Sequence, residues 1–225
     1  MFKANRLLRR LTFLLILFLI ITLVANLYYK IRYPLSYKGI IKKYSREYNV
    51  DPYLVSAIIN VESNFDKNAL SPKDARGLMQ ITPKTGEWAA AKIGIEDFTV
   101  ESLYDPEINI RIGTWYLDIL SKEFHNNIQL ILAAYNGGSG NVSKWLQNEE
   151  YCEDGKFLKK IPFKETEQYI EKVLKNYEIY EKIYKNEFEE EVEDREPYFL
   201  QLFHNFRNIL KDYMDSILGG KLGEK

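Results

Sequence analysis

An uncharged apolar segment near the N-terminus constrains this chain more than any other feature of its sequence. Residues 11–29 read LTFLLILFLIITLVANLYY and contain no Asp, Glu, Lys or Arg. A helix needs about 20 apolar residues to cross the hydrocarbon core of a bilayer. The segment therefore predicts a membrane-spanning helix, since a helix that is apolar on every face is difficult to place inside a domain of this size.

The charges that flank this segment predict its orientation. Four basic residues precede the apolar segment and two follow it: Lys3, Arg6, Arg9, Arg10 and then Lys30, Arg32. Because basic residues concentrate on the cytoplasmic side of a span, we expect the rest of the chain to lie on the extracytoplasmic side of the cell (inner) membrane. A cleaved signal peptide is the alternative. An uncleaved anchor is favoured, because the run exceeds a typical signal-peptide core and LVAN is a poor cleavage site.

Composition limits what the remaining chain can be. At 225 residues, 46% of them hydrophobic, the chain can bury one sizeable core but hardly two. Its net charge of −1 gives no electrostatic reason to expect a nucleic-acid partner. One cysteine, Cys152, excludes an intramolecular disulfide, and two histidines without an HExxH pattern argue against a transition-metal site. We therefore expect neither a metal nor a cofactor.

Helix signals recur after residue 40 without the alternation that is typical of strands. Three helices are predicted to begin where a capping side chain precedes proline, at Asp51, Thr82 and Asp105. Further helices are predicted at IQLILAAYN, which ends at Gly137-Gly138, at GNVSKWLQ, and from Glu165 to about Lys185. The sequence therefore predicts an all-α domain.

The C-terminal part of the chain differs in character from this domain. Residues 187–196, EFEEEVEDRE, form an acidic run that is typical of a solvated linker. Apolar residues then recur at spacings of three and four and predict an amphipathic helix: Phe199, Leu202, Phe203, Phe206, Ile209, Leu210, Tyr213 and Ile217. Such a helix would pack on the domain or on a second copy, or would contact a membrane or a protein partner.

These boundaries divide the chain into three parts. Residues 1–32 form a cytoplasmic stub and membrane anchor, residues 33–186 a helical domain, and residues 187–225 the linker and C-terminal amphipathic helix.

One carboxylate occupies a position where the local pattern calls for an apolar side chain. Val55, Ile58, Ile59, Glu62 and Phe65 are spaced as one face of a helix that begins at the Asp51 cap. Apolar surroundings raise the pKa of a carboxyl group, and a carboxyl protonated near neutral pH is a candidate general acid. Alternatively, Glu62 lies at the margin of the apolar stripe and reaches water or caps the following loop, and periodicity alone leaves both interpretations open.

Four sequence blocks, in this order, decide between them. They are ESNF at residues 62–65, GLMQITPKT at 77–85, AAYNGG at 133–138 and IPFKETEQYI at 161–170. Through these blocks the chain, from about residue 40 to residue 185, resembles the membrane-associated lytic transglycosylases that carry a lysozyme-like domain of the soluble-lytic-transglycosylase type.

The resemblance implies a fold, a reaction and a set of site residues. It implies a lysozyme-like domain that acts on peptidoglycan, with Glu62 as the sole catalytic acid and base. The bond cleaved is the β-1,4 bond between N-acetylmuramic acid and N-acetylglucosamine, and the product carries a 1,6-anhydro ring because the muramic acid 6-hydroxyl attacks in place of water. Eight residues form the candidate sugar-binding set: Ser71, Met79, Gln80, Thr85, Tyr135, Asn136, Glu165 and Tyr169.

Several members of this set have a structural explanation as well. Met79 is also explained as core packing, Ser71 as a turn residue before Pro72, and Tyr169 as one of many aromatic residues on the last helix. Asp66 and Asp74 are the nearest candidates for a second carboxylate, and the resemblance assigns neither of them a catalytic role. The chain departs from the family pattern at Glu167, where the family commonly has arginine.

Two other functions compete with the transglycosylase. The first is a goose-type lysozyme, in which water is the nucleophile. The second is an inactive lysozyme-like module that binds glycan or scaffolds a larger assembly. Glu62 argues against the second function, because a desolvated acid costs folding free energy that a binding module has no reason to spend.

Overall fold

The computed structural model describes residues 2–189 and 206–207, and the side chains among these from residue 9 onward. The chain divides into two compact units. Of the described residues, 35–181 form one unit, and 2–34, 182–189 and 206–207 belong to the other.

A single long helix dominates the terminal unit. Helix α1 spans Phe2–Arg32, and its part from Arg9 to Arg32 is long and apolar enough to cross a membrane. The helix that the apolar segment predicts is therefore confirmed. Of the predicted C-terminal amphipathic helix, only residues 206–207 are described; they are helical, and the Phe206 ring packs edge-on against Phe18 at 5.0 Å. The rest of that prediction, and most of the acidic linker, lie outside the described residues.

The other unit is built from helices, as the sequence predicts. Seven α-helices follow α1: α2 (Lys38–Glu47), α3 (Pro52–Ser63), α4 (Pro83–Ile93), α5 (Pro106–Glu123), α6 (Ile128–Gly137), α7 (Ser139–Leu146) and α8 (Lys164–Ile183). A short 3₁₀ helix, Val100–Tyr104, precedes α5. Within the described residues β pairing is limited to isolated bridges, two of them in the loop between α3 and α4. The all-α prediction is confirmed.

The predicted helix starts are also confirmed. The Asp51 carboxylate accepts hydrogen bonds from the backbone N–H of Tyr53, at 2.7 Å, and of Leu54, and Asp105 caps α5 in the same way. Thr82 accepts from the Thr85 N–H at 3.3 Å. These side chains satisfy backbone donors that the first turn of a helix leaves unpaired, and each is followed by proline, which has no N–H to satisfy.

Helix α5 lies at the centre of the domain and packs against α2, α4 and α6. Its Ile110, Ile112 and Leu120 side chains have no solvent exposure. Helix α3 adds Val55, Ala57, Ile58 and Ile59, which are also fully buried. The C-terminal end of α3 is thereby held against the core, which fixes the position of the residues that end this helix.

The sequence interpretation of α3 was wrong about its last apolar residue. Phe65 does not continue the helical face, because α3 ends at Ser63 and both Asn64 and Phe65 adopt left-handed backbone angles, with φ of 50° and 65°. This turn redirects the chain, and the Phe65 ring packs instead near Tyr180, with ring centroids 6.5 Å apart. Glu62 is therefore in the last turn of the helix, where its side chain borders the loop that follows.

Candidate active site

Glu62 is partly exposed, but its carboxyl group is largely withdrawn from water. Burial is the main cause that raises its pKa from 4.5 to about 7, and the negative charge of Glu165 acts in the same direction. A carboxyl group with this pKa is present in both protonation states near neutral pH, so it can donate a proton and later accept one.

Tyr169, on α8, lies beside this carboxyl group. Contact with the Tyr169 hydroxyl lowers the pKa of Glu62, although burial has the larger effect. The hydroxyl is buried, and it makes no hydrogen bond of standard geometry with any described residue. Since buried polar atoms are rarely left unpaired, the Glu62 carboxyl group is the partner that this hydroxyl faces.

Tyr135, near the C-terminal end of α6, borders the same carboxyl group. Burial and the charge of Glu62 both raise the pKa of Tyr135, so its hydroxyl stays protonated. That hydroxyl donates a hydrogen bond of 2.8 Å to the backbone carbonyl of Met79. Helices α3, α6 and α8 thus bring Glu62, Tyr135 and Tyr169 together, although up to 107 positions separate them in the sequence.

The loop anchor, by which we mean Asn109 and residues 76–79, holds the backbone that Tyr135 contacts. The Asn109 side chain has no solvent exposure; it accepts from the Met79 N–H at 2.8 Å and donates to the carbonyls of Arg76 and Leu103 at 2.9 and 2.7 Å. Gly77 is required here, because it has a φ of 73° and a Cβ atom would collide with the Leu103 carbonyl and the Asn109 amide.

Sequence reasoning missed Asn109. The signal that would have identified it is an amide on the apolar face of α5, three residues before Ile112, four before Gly113 and seven before Tyr116. Ser63 was also not predicted as a site residue. Its hydroxyl lies 2.8 Å from the Leu78 carbonyl, to which it donates, and so it ties the end of α3 to the same loop.

Asn136 connects α6 to the start of α8. Its side-chain oxygen accepts a hydrogen bond of 2.8 Å from the hydroxyl of Thr166, a residue that sequence reasoning also missed and that is 1% exposed. Thr166 precedes Tyr169 by three residues on α8. The Asn136–Thr166 bond therefore stabilises the turn of α8 that places Tyr169 beside Glu62.

The other predicted sugar-binding residues are placed in different ways. The Met79 side chain is fully buried and packs against Gly113, which is the core-packing role, while its backbone contacts Tyr135. Gln80 donates from its side-chain amide to the carbonyls of Ala69 and Gly77. Ser71 accepts from the N–H groups of Lys73 and Ala75 in a turn, and Thr85 takes part in the cap of α4.

No second carboxylate is tied to the Glu62 carboxyl group in the described part of the chain. Asp66 accepts a hydrogen bond of 2.9 Å from the Asn68 N–H, and Asp74 is paired with Arg76 at 3.0 Å. Glu165 is near enough for its charge to affect Glu62, but its side chain is 73% exposed and forms an ion pair of 3.3 Å with Lys73.

The described residues form an all-helical domain with a desolvated carboxyl group, Glu62, at the end of a core helix, as the resemblance to lysozyme-like domains implies. Residues 39–157 match the model of the family described as Transglycosylase SLT domain. The chain belongs to that family.

Relatives and solved structures agree with this assignment. The chain is 37% identical over 137 residues to the soluble lytic murein transglycosylase of Salmonella typhimurium. The aligned region covers 60% of this chain and 21% of the relative. It is 36% identical over 121 residues to the membrane-bound lytic murein transglycosylase C of Shigella sonnei, or 50% of this chain and 34% of the relative. This chain thus spans between about a fifth and a third of the length of these relatives.

Two crystal structures share the fold. An inactive mutant of the lytic transglycosylase Slt from Pseudomonas aeruginosa aligns with a TM-score of 0.62 and 33% identity, covering 68% of this chain and 25% of that one. The 70 kDa soluble lytic transglycosylase of Escherichia coli aligns with a TM-score of 0.60 and 34% identity, covering 66% and 24%.

Proposed function

We propose that this chain is a membrane-anchored peptidoglycan lytic transglycosylase. It cleaves the β-1,4 bond between N-acetylmuramic acid and N-acetylglucosamine and leaves a 1,6-anhydromuramoyl end. One observation carries the proposal: burial raises the pKa of Glu62 to about 7, and no second carboxylate in the described residues is held against it.

Glu62 performs two proton transfers in this mechanism. Its protonated form donates to the glycosidic oxygen as the bond to C1 breaks, and the resulting carboxylate then takes the proton from the muramic acid 6-hydroxyl as that oxygen bonds to C1. The proton balance closes, because the acid is regenerated at the end of the cycle. A pKa near the working pH serves both steps, since a much stronger or weaker acid would be poor at one of them.

The absence of a paired carboxylate favours this mechanism over direct hydrolysis. Most glycosidases use two carboxyl groups at a set separation, one as acid and the other as base or nucleophile. Asp66 and Asp74 are engaged elsewhere, and Glu165 is exposed and paired with Lys73. The N-acetyl group of the muramic acid supplies the stabilisation of positive charge at C1 that the missing carboxylate would otherwise give.

Eight residues are proposed to bind the sugar, with unequal support from their positions. Tyr169 and Tyr135 border the acid, and the Tyr169 hydroxyl contacts its carboxyl group. Gln80, Asn136, Thr85 and Ser71 are partly exposed, and Glu165 is exposed. Met79 contributes through its backbone carbonyl, which orients Tyr135.

The apolar helix α1 supports a location at the membrane, as does similarity to a protein named a membrane-bound lytic murein transglycosylase. The excess of basic residues before the span favours a single-pass protein of the cell (inner) membrane with its domain outside the cytoplasm. Protease added to spheroplasts should then remove the domain. Complete protection in sealed spheroplasts would contradict this orientation. Association with a protein partner or a second copy through the C-terminal helix remains a prediction of the sequence.

Product chemistry tests the reaction. The full chain, purified in detergent, is incubated with sacculi in H₂¹⁸O, and the released fragments are analysed by mass spectrometry. We expect 1,6-anhydromuropeptides without incorporated ¹⁸O. Reducing ends labelled with ¹⁸O would identify a hydrolase, and binding to sacculi without any release would identify a glycan-binding module.

A further inference from the structure

A row of aromatic rings leads from the acid site to the domain surface. The Tyr135 ring is 5.7 Å from that of Tyr116, and the Tyr116 ring is 6.1 Å from that of Trp88, perpendicular to it. Tyr135 is at one end of this row, where the charge of Glu62 affects its pKa. Trp88 is at the other end, on α4, and is 42% exposed.

Trp88 is exposed but held in a fixed orientation. Its ring packs at 4.8 Å against Trp115, which is only 9% exposed, and edge-to-face against Tyr116. Such contacts between aromatic rings contribute beyond the area that they bury. One part of the indole is therefore fixed by the core, and another part faces solvent. A side chain held in this way offers a preformed contact surface, because little conformational freedom remains to be lost on binding.

Trp88 differs from the other exposed large hydrophobic residues outside α1 in its connection to the acid site. In the described part of the chain these are Leu70, Phe157 and Phe163. Phe163 packs against Trp145, and Phe157 lines a cavity of about 920 Å³ together with Asn127 and Leu130. Trp88 alone among them is joined by ring contacts to a tyrosine that borders Glu62.

We propose that Trp88 is a stacking platform for a hexosamine ring of the glycan strand, beyond the two sugars that flank the cleaved bond. A pyranose ring presents C–H groups on its face, and a fixed aromatic surface that leads to the acid fits such a face. The hydroxyl-bearing Thr85 is three residues earlier on α4, which places it on the same side of the helix as Trp88. Apolar lining with a few polar groups is typical of ligand sites. The identity of the strand as peptidoglycan rests on the proposed function, whereas the platform itself requires only a β-1,4-linked N-acetylhexosamine chain.

A lipid surface is the other ligand that exposed tryptophan contacts, because its amphipathic ring favours the membrane interface. The surroundings of Trp88 favour the sugar. Glu87, beside it, and Lys84, one turn earlier, are both exposed, so no extended apolar surface accompanies the indole. A membrane-binding face would normally present several apolar side chains together.

Binding to a defined oligosaccharide tests the platform without relying on cleavage. Glu62→Gln is placed in the full chain so that no turnover occurs, and the Kd for a hexamer of β-1,4-linked N-acetylglucosamine is measured by calorimetry. Adding Trp88→Ala should weaken binding by about tenfold, which is the size expected for one aromatic contact. Trp88→Phe, which keeps a smaller ring, should lose less. The matched control is Phe157→Ala, which removes an exposed aromatic side chain outside the row and should leave the Kd unchanged.

Each outcome decides the proposal. An unchanged Kd in a folded Trp88→Phe or Trp88→Ala protein overturns it, and so does an equal loss in Phe157→Ala. If phosphatidylglycerol vesicles, and not the hexamer, change the Trp88 fluorescence, the lipid contact replaces the sugar. Because the measurement uses the Glu62→Gln background, a parent enzyme that proves to be a hydrolase would refute the proposed reaction and leave this test intact.

Discussion

The loop anchor around Asn109 and the acid site around Glu62 each contain a buried polar group, but the two groups differ in how fully they are hydrogen-bonded. Both side chains project from helices into apolar surroundings. Asn109 is fully enclosed, and its amide makes three hydrogen bonds to backbone groups. The carboxyl group of Glu62 is also withdrawn from water, but its contact with the Tyr169 hydroxyl is not a hydrogen bond of standard geometry.

The difference shows how one helical core serves both stability and chemistry. A buried polar group that is fully paired adds stability and specificity, because removing it would leave its partners unsatisfied. A buried acid that lacks strong partners instead adjusts its pKa, and that adjusted pKa is what proton transfer requires. The loop anchor and the acid site are linked through Met79, whose N–H binds Asn109 and whose carbonyl binds Tyr135.

The largest expected effect is on catalysis. Glu62→Gln keeps the shape of the side chain but cannot exchange a proton, so the rate of glycan cleavage should fall by at least about 10² to 10⁴-fold. Asp66→Asn and Asp74→Asn make the same chemical change at carboxylates outside the acid site, and their rates should stay within a few-fold of the parent. An active Glu62→Gln protein, measured by release of soluble muropeptides, would remove Glu62 from the mechanism.

The loop anchor should respond in stability instead. Asn109→Ala removes the side-chain partner of the Met79 N–H and of the Leu103 carbonyl, while the Arg76 carbonyl keeps its hydrogen bond from the Ile81 N–H. At roughly 1–3 kcal/mol for each unpaired group, the free energy of unfolding should fall by about 2 kcal/mol or more. Urea denaturation measures this. Asn68→Ala, at an exposed position in the loop between α3 and α4, is the matched control and should change stability by less than about 0.5 kcal/mol. If Asn109→Ala and Asn68→Ala were equally stable, the hydrogen bonds of Asn109 would not stabilise the fold, and the loop anchor would lose its contrast with the acid site.

Glu62→Gln should also change how stability depends on pH. The folded-state pKa of Glu62 is about 7, above its ordinary value of 4.5, so the folded protein holds this proton more tightly than the unfolded chain. Below about pH 4.5 Glu62 is protonated in the folded and the unfolded protein, so its ionisation does not affect stability. As pH rises to about 7, the cost of burying the ionised carboxylate lowers the free energy of unfolding, and above that pH this loss levels off. At about 1.4 kcal/mol per pKa unit, this cost reaches about 3 kcal/mol.

Because glutamine does not ionise, Glu62→Gln should be more stable than the parent at pH 8 by up to about 3 kcal/mol and equal to it near pH 4. Denaturation at the two pH values gives the comparison. A difference that is the same at both would mean that the effect does not come from ionisation of Glu62.

The smallest effect concerns Tyr169. Its hydroxyl lowers the pKa of Glu62, so Tyr169→Phe should move the acidic group in the pH–rate profile to higher pH while costing little stability. Tyr177→Phe is the comparison on the same helix, because the Tyr177 hydroxyl donates to Asp51 at 2.9 Å; it should lower stability and leave the profile unchanged. A Tyr169→Phe profile that coincides with that of the parent would show that the hydroxyl does not act on Glu62.

Local patterns were enough to predict the helices and to single out Glu62, while its interpretation as an acid came from the resemblance that the four sequence blocks carry. The caps at Asp51, Thr82 and Asp105 and the apolar face of α3 depend on neighbours within a few residues, which the sequence displays directly. The end of α3 was harder to predict. Periodicity extended the face to Phe65, whereas the left-handed angles of Asn64 and Phe65 end the helix before it.

The contacts that join distant helices were not readable from the sequence. Asn109 with Met79 and Asn136 with Thr166 are pairs 30 positions apart in the sequence. The ring row joins Trp88 to Tyr135 through Tyr116, across three different helices. Met79 illustrates the consequence. Its residue type and motif suggested contact with sugar, but only the packing of α5 places its side chain against Gly113 in the core.

The central claim is that the Glu62 carboxyl group titrates near neutral pH because burial withdraws it from water, an effect larger than the opposing one of the Tyr169 hydroxyl. Its titration can be followed by NMR on protein labelled with ¹³C at the glutamate side-chain carboxyl carbon, with Glu62→Gln used to assign the resonance. We predict a pKa of about 7 for this carboxyl group. A pKa close to the ordinary value of 4.5 would contradict the account, since Glu62 would then be ionised when the glycosidic oxygen needs its proton.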